Sequence, residues 1–149
     1  MNHFVHRTIV KAPLEKINSF HHSRHAFEEL SPPIMFVRLI QAEPIANGSI
    51  LHFRMWLGPI PVNWVAVHSD VSQSGFTDSQ RVGPFEYWNH CHTFRSINSQ
   101  TTEITDEIKA EPGRQLLSGL VSRLMWLGLP FLFGYRGWII RKKLESVDR

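Results

Sequence analysis

Alternating hydrophobic and polar positions begin at the N-terminal end of the chain. Residues 3–10 place Phe4 and Val10 on one side and Val5 and Ile9 on the other, which predicts a strand that ends before Pro13. From residue 14 to 30 the hydrophobic positions recur at helical spacing, with an interruption at 21–23. The pattern therefore predicts two short helices, which the sequence Ser-Pro-Pro at 31–33 brings to an end.

Turn signals then divide the middle of the chain into short strand-like segments. The signals are Asn-Gly at 47–48, Gly-Pro-Ile-Pro at 58–61, Ser-Gly at 74–75, Gly-Pro at 83–84 and Asn-Ser at 98–99. Turns at this spacing are typical of an antiparallel sheet. We expect six further strands, over 35–41, 49–57, 62–72, 75–81, 85–97 and 101–111. No linker, repeat or low-complexity segment divides them, so residues 1–149 are expected to form a single domain.

The C-terminal part changes to three-and-four spacing of hydrophobic residues, which predicts one long helix over about 115–146 with a kink at Pro130. Both sides of residues 124–133 are hydrophobic, yet this stretch is too short to span a bilayer, and no transmembrane segment is predicted. We expect Trp126, Leu129 and Phe133 to face outwards and contact a second copy of the chain; contact with a membrane surface is the alternative.

Composition and charge narrow the class of protein. The chain has 149 residues, of which 42% are hydrophobic, and its 16 basic and 13 acidic side chains leave a formal charge of +3. Only residues 141–143 form a run of basic side chains, so a nucleic-acid partner is not expected. The single cysteine, Cys91, cannot form an internal disulfide, and the N-terminus lacks the hydrophobic segment of a signal peptide, so a cytoplasmic location is expected.

Side chains that can exchange protons or contact a ligand fall on one face of the predicted sheet. Trp88, His90, His92 and Phe94 alternate with more polar neighbours, which predicts that they point inwards. Pairing Phe94 with Ile104 places His92 opposite Asp106 and His90 opposite Ile108. The turn at 83–84 brings Asp78 near Trp88 or His90. We therefore expect a band of two histidines and two carboxylates across three strands: Asp78, His90, His92 and Asp106.

Three interpretations of this band remain open. Hydrogen bonds between the histidines and carboxylates can serve only to fix the strand register. The band can also form the polar end of an apolar pocket, and in a catalytic version His92 or His90 acts as a general acid or base while Asp106 or Asp78 orients it. Two histidines at i and i+2 can both reach a metal ion, but the spacing indicates no third ligand, so neither a metal nor a cofactor is predicted.

A family resemblance covers nearly the whole chain and is most specific over one stretch. Residues 76–94, FTDSQRVGPFEYWNHCHTF, resemble a sequence pattern of the SRPBCC superfamily, also called START-like or Bet v 1-like, within its bacterial cyclase/dehydrase or coenzyme Q-binding-like group. The resemblance implies an α+β helix-grip fold, in which a curved seven-stranded antiparallel sheet wraps around a long C-terminal helix and two short helices follow the first strand. It also implies a cavity for an apolar or amphipathic molecule, and some relatives cyclise or dehydrate polyketides.

These observations together predict a domain that binds a small apolar or amphipathic ligand, such as a lipid, a quinone or a polyketide-like molecule. Binding without catalysis is the preferred interpretation; a cyclase or dehydratase and a module that presents lipid to a partner are the alternatives. The side chain of Trp64 is expected inside the sheet with that of Phe53, although the opposite parity, with Val65 and Val67 inside, is not excluded by the pattern. The full set of expected ligand contacts is Phe53, Trp64, Asp78, Trp88, His90, His92, Phe94, Asp106, Leu117, Val121, Leu124, Phe131 and Tyr135.

Overall fold

The computed structural model describes residues 1–145 and shows one sheet with three helices. The strands are β1 (Asn2–Val10), β2 (Phe36–Ala42), β3 (Ile50–Leu57), β4 (Ile60–Ser72), β5 (Gly75–Val82), β6 (Phe85–Asn98) and β7 (Thr101–Pro112). The helices are α1 (Leu14–His22), α2 (Ala26–Glu29) and α3 (Leu116–Leu144). This is the predicted helix-grip order. The predicted end of the last helix, at residue 146, lies outside the described residues.

The seven strands form a single antiparallel sheet in the order β1-β7-β6-β5-β4-β3-β2. The predicted pairing of Phe94 with Ile104 is present, and with it that of His92 with Asp106. The turn between β3 and β4 is shorter than predicted, because Gly58 adopts a positive φ of 57° and lets Leu57 pair directly with Ile60. Strand β4 therefore begins at Ile60, earlier than the predicted start at residue 62.

Helix α3 packs on the sheet with a face that matches the predicted one only in part: Val121 is buried as expected, but other positions are exchanged. Leu129 and Phe133, expected outside, are 3% and 2% exposed, whereas Leu117 is 61% exposed. Both faces of this helix are hydrophobic, so side-chain type does not select the inner one. Small residues select the inner face instead. A methyl group added at Gly137 would lie 3.0 Å from Thr8 Oγ1 on β1, so the helix can pack this closely because position 137 has no side chain. The inner face is the one whose small side chains permit close approach.

The outer face of α3 carries a continuous row of exposed hydrophobic side chains, which we call the outer stripe: Leu116, Leu117, Leu120, Leu124, Leu127 and Phe131. By length and composition α3 is able to cross a bilayer, although one of its faces packs on the sheet as in a core helix. Trp126, which was predicted to face outwards, is instead half-buried and packs edge-on against Phe4, with 6.4 Å between ring centroids. The surface predicted from Trp126, Leu129 and Phe133 therefore does not exist.

Candidate functional site

A cavity of about 380 Å³ lies between the inner face of the sheet and helix α3. Its size falls in the range of roughly 300–1,000 Å³ that is typical of small-molecule sites. Apolar side chains from the central strands, from the segment that follows α1 and from α3 form most of the wall. The polar side chains that reach the cavity are His21, Ser31, His68, Asp78, His90, His92 and Arg136.

The mouth of the cavity is marked by lining residues that are also exposed. Ile34, just before β2, is 81% exposed, and Leu124 and Phe131 on α3 are 53% and 65% exposed. The mouth therefore lies between the segment joining α2 to β2 and the middle of α3. Its rim is apolar and is continuous with the outer stripe.

Aromatic rings form the wall at the centre of the sheet. Phe53 and Trp64 are paired across β3 and β4 and stack with 5.9 Å between ring centroids. Trp64 also meets Trp88 edge-on at 5.3 Å, and Phe27 covers Phe53 at 4.4 Å. The alternation along β3 and β4 thus has the expected parity, with Trp64 inside, while Val65 and Val67 lie on the other face and are half-buried.

Two histidines and two aspartates form a closed network at one end of the cavity, which we call the His–Asp quartet. His90 and His92 project from β6 with ring centroids 3.8 Å apart, between Asp78 on β5 and Asp106 on β7. Each contact to a neighbouring strand is diagonal: His90 Nε2 lies 2.8 Å from Asp106 Oδ1, and His92 Nε2 lies 2.9 Å from Asp78 Oδ2. The predicted band is therefore present, with all four side chains in contact.

The quartet also has a second, looser pair of contacts. His90 Nδ1 lies 3.5 Å from Asp78 Oδ2, and His92 Nδ1 lies 3.1 Å from Asp106 Oδ1. The buried His92 Nδ1 nevertheless has no well-aligned hydrogen-bond partner. Each imidazole thus bridges the two carboxylates, and one nitrogen atom in the network is not fully satisfied.

Burial and charge act in opposite directions on the quartet. Burial lowers the pKa of His92, but its close contacts with Asp106 and Asp78 outweigh burial and raise the pKa to about 9. Burial and the neighbouring His92 charge lower the pKa of His90. Burial raises the pKa of Asp78, but His90 and His92 outweigh it and bring the pKa to about 2; Asp106 shifts in the same direction. At neutral pH the quartet therefore holds two carboxylates, one imidazolium and one neutral imidazole.

Three further polar side chains surround the quartet. His21, at the end of α1, is 7% exposed, and burial lowers its pKa to about 4. Its Nδ1–H donates to the carbonyl of Ile17 at 2.8 Å, so the neutral ring is satisfied within α1. His68 on β4 lies 3.0 Å from the hydroxyl of Ser49. Arg136 on α3 lies 5.1 Å from the centroid of the Phe133 ring.

The cavity brings together eight of the thirteen expected ligand contacts and leaves out five. Those that line it are Phe53, Trp64, Asp78, Trp88, His90, His92, Leu124 and Phe131. The others lie elsewhere: Asp106 is buried behind the histidines, Phe94 and Val121 are core residues, Tyr135 packs against the group of core residues that contains Phe94, and Leu117 is exposed.

Sequence reasoning missed some cavity residues that belong to the helices. Phe27, Leu129 and Phe133 line the cavity together with Arg136 and His21. Arg136 is the one charged residue in the stretch 124–140 and follows Phe133 by three positions, and this was the available signal, since i and i+3 share a helix face. His21 carried no comparable signal, because a helix of nine residues has little periodicity to assign its faces.

No family model and no curated protein matches the chain. Among solved structures, the Zhui aromatase/cyclase from Streptomyces sp. R1128 superposes with a TM-score of 0.75 at 10% identity, covering 95% of this chain and 92% of that one. A START superfamily protein from Mycobacterium smegmatis gives 0.69 at 13% identity, covering 96% and 97%. The di-domain ARO/CYC BexL gives 0.68 at 12% identity, covering 94% of this chain and 46% of that one.

At these identities the likeness shows the fold. It confirms the helix-grip architecture that the resemblance of residues 76–94 implied.

Proposed function

We propose that this protein binds a small apolar or amphipathic molecule in the cavity between the sheet and α3, with an oxygen atom of the ligand at the His–Asp quartet. The observation that carries the proposal is an apolar cavity of about 380 Å³ with polar groups gathered at one end. Such a combination provides binding energy from the apolar wall and orientation from a few polar atoms.

The polar end favours particular ligand groups. Arg136 lines the cavity and offers guanidinium N–H donors to a carbonyl or to an ionised oxygen, and the positive charge of His92 at neutral pH favours the same groups. Asp78 also lines the cavity and accepts a hydrogen bond from a hydroxyl. A lipid, a quinone or a polyketide-like molecule carries such an oxygen next to an apolar body.

A titration with a matched pair of variants tests ligand binding. Ala66 is 1% exposed and lines the cavity, whereas its neighbour Val65 lies on the opposite face of β4. Ala66→Phe should fill part of the cavity and weaken binding of a fluorescent fatty acid or a quinone at least tenfold, while Val65→Phe leaves it unchanged. Quenching of Trp64 and Trp88 provides the readout. Equal affinity in both variants, with both folded, argues against the cavity as the site.

A cyclase or dehydratase is the second candidate, and the arrangement of the quartet favours it specifically. His92 is cationic at neutral pH, lines the cavity and is oriented by Asp78 at 2.9 Å, so its positive charge can stabilise an enolate formed beside a carbonyl. If the protein is such an enzyme, His92→Gln abolishes turnover of a poly-β-carbonyl substrate but retains quinone binding. Unchanged turnover in that variant removes His92 from the reaction.

Presentation of lipid at a membrane is a third candidate, favoured by the outer stripe beside the mouth. The charged residues of α3 are all basic, and Arg123 lies exposed beside the stripe, which suits an anionic membrane surface. Leu127 is 75% exposed and does not line the cavity, so Leu127→Glu should abolish binding to phosphatidylglycerol vesicles. The control Val5→Glu, on the exposed side of β1, should not. Gel filtration of the same pair distinguishes a dimer contact: if Leu127 is a dimer contact, Leu127→Glu yields monomers while wild-type protein elutes as a dimer.

A further inference from the structure

We propose that Asp78, His90 and His92 form a site for one divalent transition metal ion, with Zn²⁺ as the ion used to probe it. One ligand atom from each of these side chains lies within 4.8 Å of the others. The inference goes beyond the proposed function and does not depend on it, because the three side chains are in place without an organic ligand.

The separations between the ligand atoms suit a tetrahedral ion. Asp78 Oδ2 lies 2.9 Å from His92 Nε2 and 3.5 Å from His90 Nδ1. With metal–ligand bonds of about 2.0–2.2 Å, neighbouring ligand atoms of a tetrahedral zinc site lie roughly 3.3 Å apart. Only small side-chain movements are therefore needed to place both imidazoles and the carboxylate around one ion.

Asp106 supplies the interaction that metal-binding histidines usually require. It lies 2.8 Å from His90 Nε2 and 3.1 Å from His92 Nδ1, and in each ring this is the nitrogen that would not bind the metal. A carboxylate that accepts these N–H groups fixes the tautomer of a ligating histidine and orients the ring. It would also give the unsatisfied His92 Nδ1 a defined role as a hydrogen-bond donor.

The position of the three ligands leaves one coordination site facing the cavity. Asp78, His90 and His92 line the cavity, whereas Asp106 lies behind them and does not. Two histidines, one carboxylate and an open position are the protein contribution found in many catalytic zinc and non-haem iron sites. The geometry therefore points to an ion that is held by the sheet and accessible to a small molecule.

The hypothesis is tested by titrating metal-free protein with Zn²⁺ in a calorimeter. We expect one equivalent to bind, and zinc-edge X-ray absorption of that complex should show two imidazole nitrogens with oxygen in the remaining positions. Asp78→Asn should weaken binding at least 100-fold, and Asp106→Asn about 10–100-fold. His3→Gln is the control, because His3 pairs with Glu107 at the protein surface.

Absence of a stoichiometric site in folded wild-type protein would overturn the proposal. So would absorption data showing fewer than two imidazole ligands, or equal affinity in His3→Gln and Asp78→Asn. If Asp78→Asn does not fold, the absorption data on the wild-type complex decide alone. Binding of the fluorescent fatty acid in zinc-free buffer is measured separately, so failure of the metal site and failure of the ligand cavity give different results.

Discussion

Raising the pH should weaken the folded protein through His92. This side chain is buried between Asp78 and Asp106, and their close contacts raise its pKa to about 9 from an ordinary value of 6.5. The folded state therefore holds a proton on His92 over a pH range in which the unfolded chain has lost it. His92→Gln removes this proton while retaining a polar side chain of similar length.

The magnitude follows from the difference between the two pKa values. Each unit corresponds to about 1.4 kcal/mol, so the interaction contributes about 3 kcal/mol to the free energy of unfolding. Because the folded pKa is raised, this contribution is complete below pH 6.5 and is lost as the pH rises through about 9. Stability should thus decline by about 1.4 kcal/mol for each pH unit between these values.

Urea unfolding measured from pH 6 to 10, with a chelator present, provides the assay. The wild-type protein should lose about 3 kcal/mol across this range relative to His92→Gln, and most of the difference should arise between pH 6.5 and 9. The difference between the two curves removes contributions from other titrating groups. A constant difference between wild type and variant over the whole range would refute the assigned charge of His92.

Other consequences follow from individual packing sites and from the acid side of the titration. Phe133→Ala should cost about 3–5 kcal/mol, because the ring is 2% exposed and fills the space under α3; Leu127→Ala, at an exposed position, should change the free energy by less than about 0.5 kcal/mol. Gly75→Ala should cost about 1–3 kcal/mol, because its φ is 136° and the added carbon would collide with the carbonyl oxygen of His92. Gly134→Ala, in open space on α3, should be neutral or stabilising by up to about 1 kcal/mol. Burial lowers the pKa of His21 to about 4, so the neutral ring contributes fully to the free energy of unfolding above pH 6.5, and this contribution is lost as the pH falls towards 4. His21→Leu should therefore flatten the decline in the free energy of unfolding over this pH range, measured by urea unfolding.

The sheet was predictable because its strands are marked by local signals. Period-two alternation and the turn dipeptides placed every strand within a few residues. A turn near 98–99 allowed the pairing of Phe94 with Ile104, which the structure reaches through a register shift between Ser96 and Asn98. That pairing in turn placed His92 opposite Asp106. The diagonal contacts, which link His90 to Asp106 and His92 to Asp78, depend on side-chain rotamers and are not visible in the register alone.

The helix was predictable in extent but not in orientation. Hydrophobic side chains surround α3, so its periodicity did not separate Leu129 on the inner face from Leu127 on the outer. The orientation depends on small residues that let α3 approach β1 and on aromatic side chains that fill the concave sheet. The hydrophobic cavity residues Leu129 and Phe133 on α3 could therefore be assigned only from the structure.

Native mass spectrometry of the protein purified from its own host tests the central claim most directly. We expect wild-type protein to carry one bound lipid, quinone or polyketide-like molecule per chain, and Ala66→Phe to lose it while Val65→Phe retains it. Wild-type spectra that repeatedly show only the bare chain, together with no binding of the fluorescent fatty acid or quinone, would contradict a ligand-binding function for this cavity.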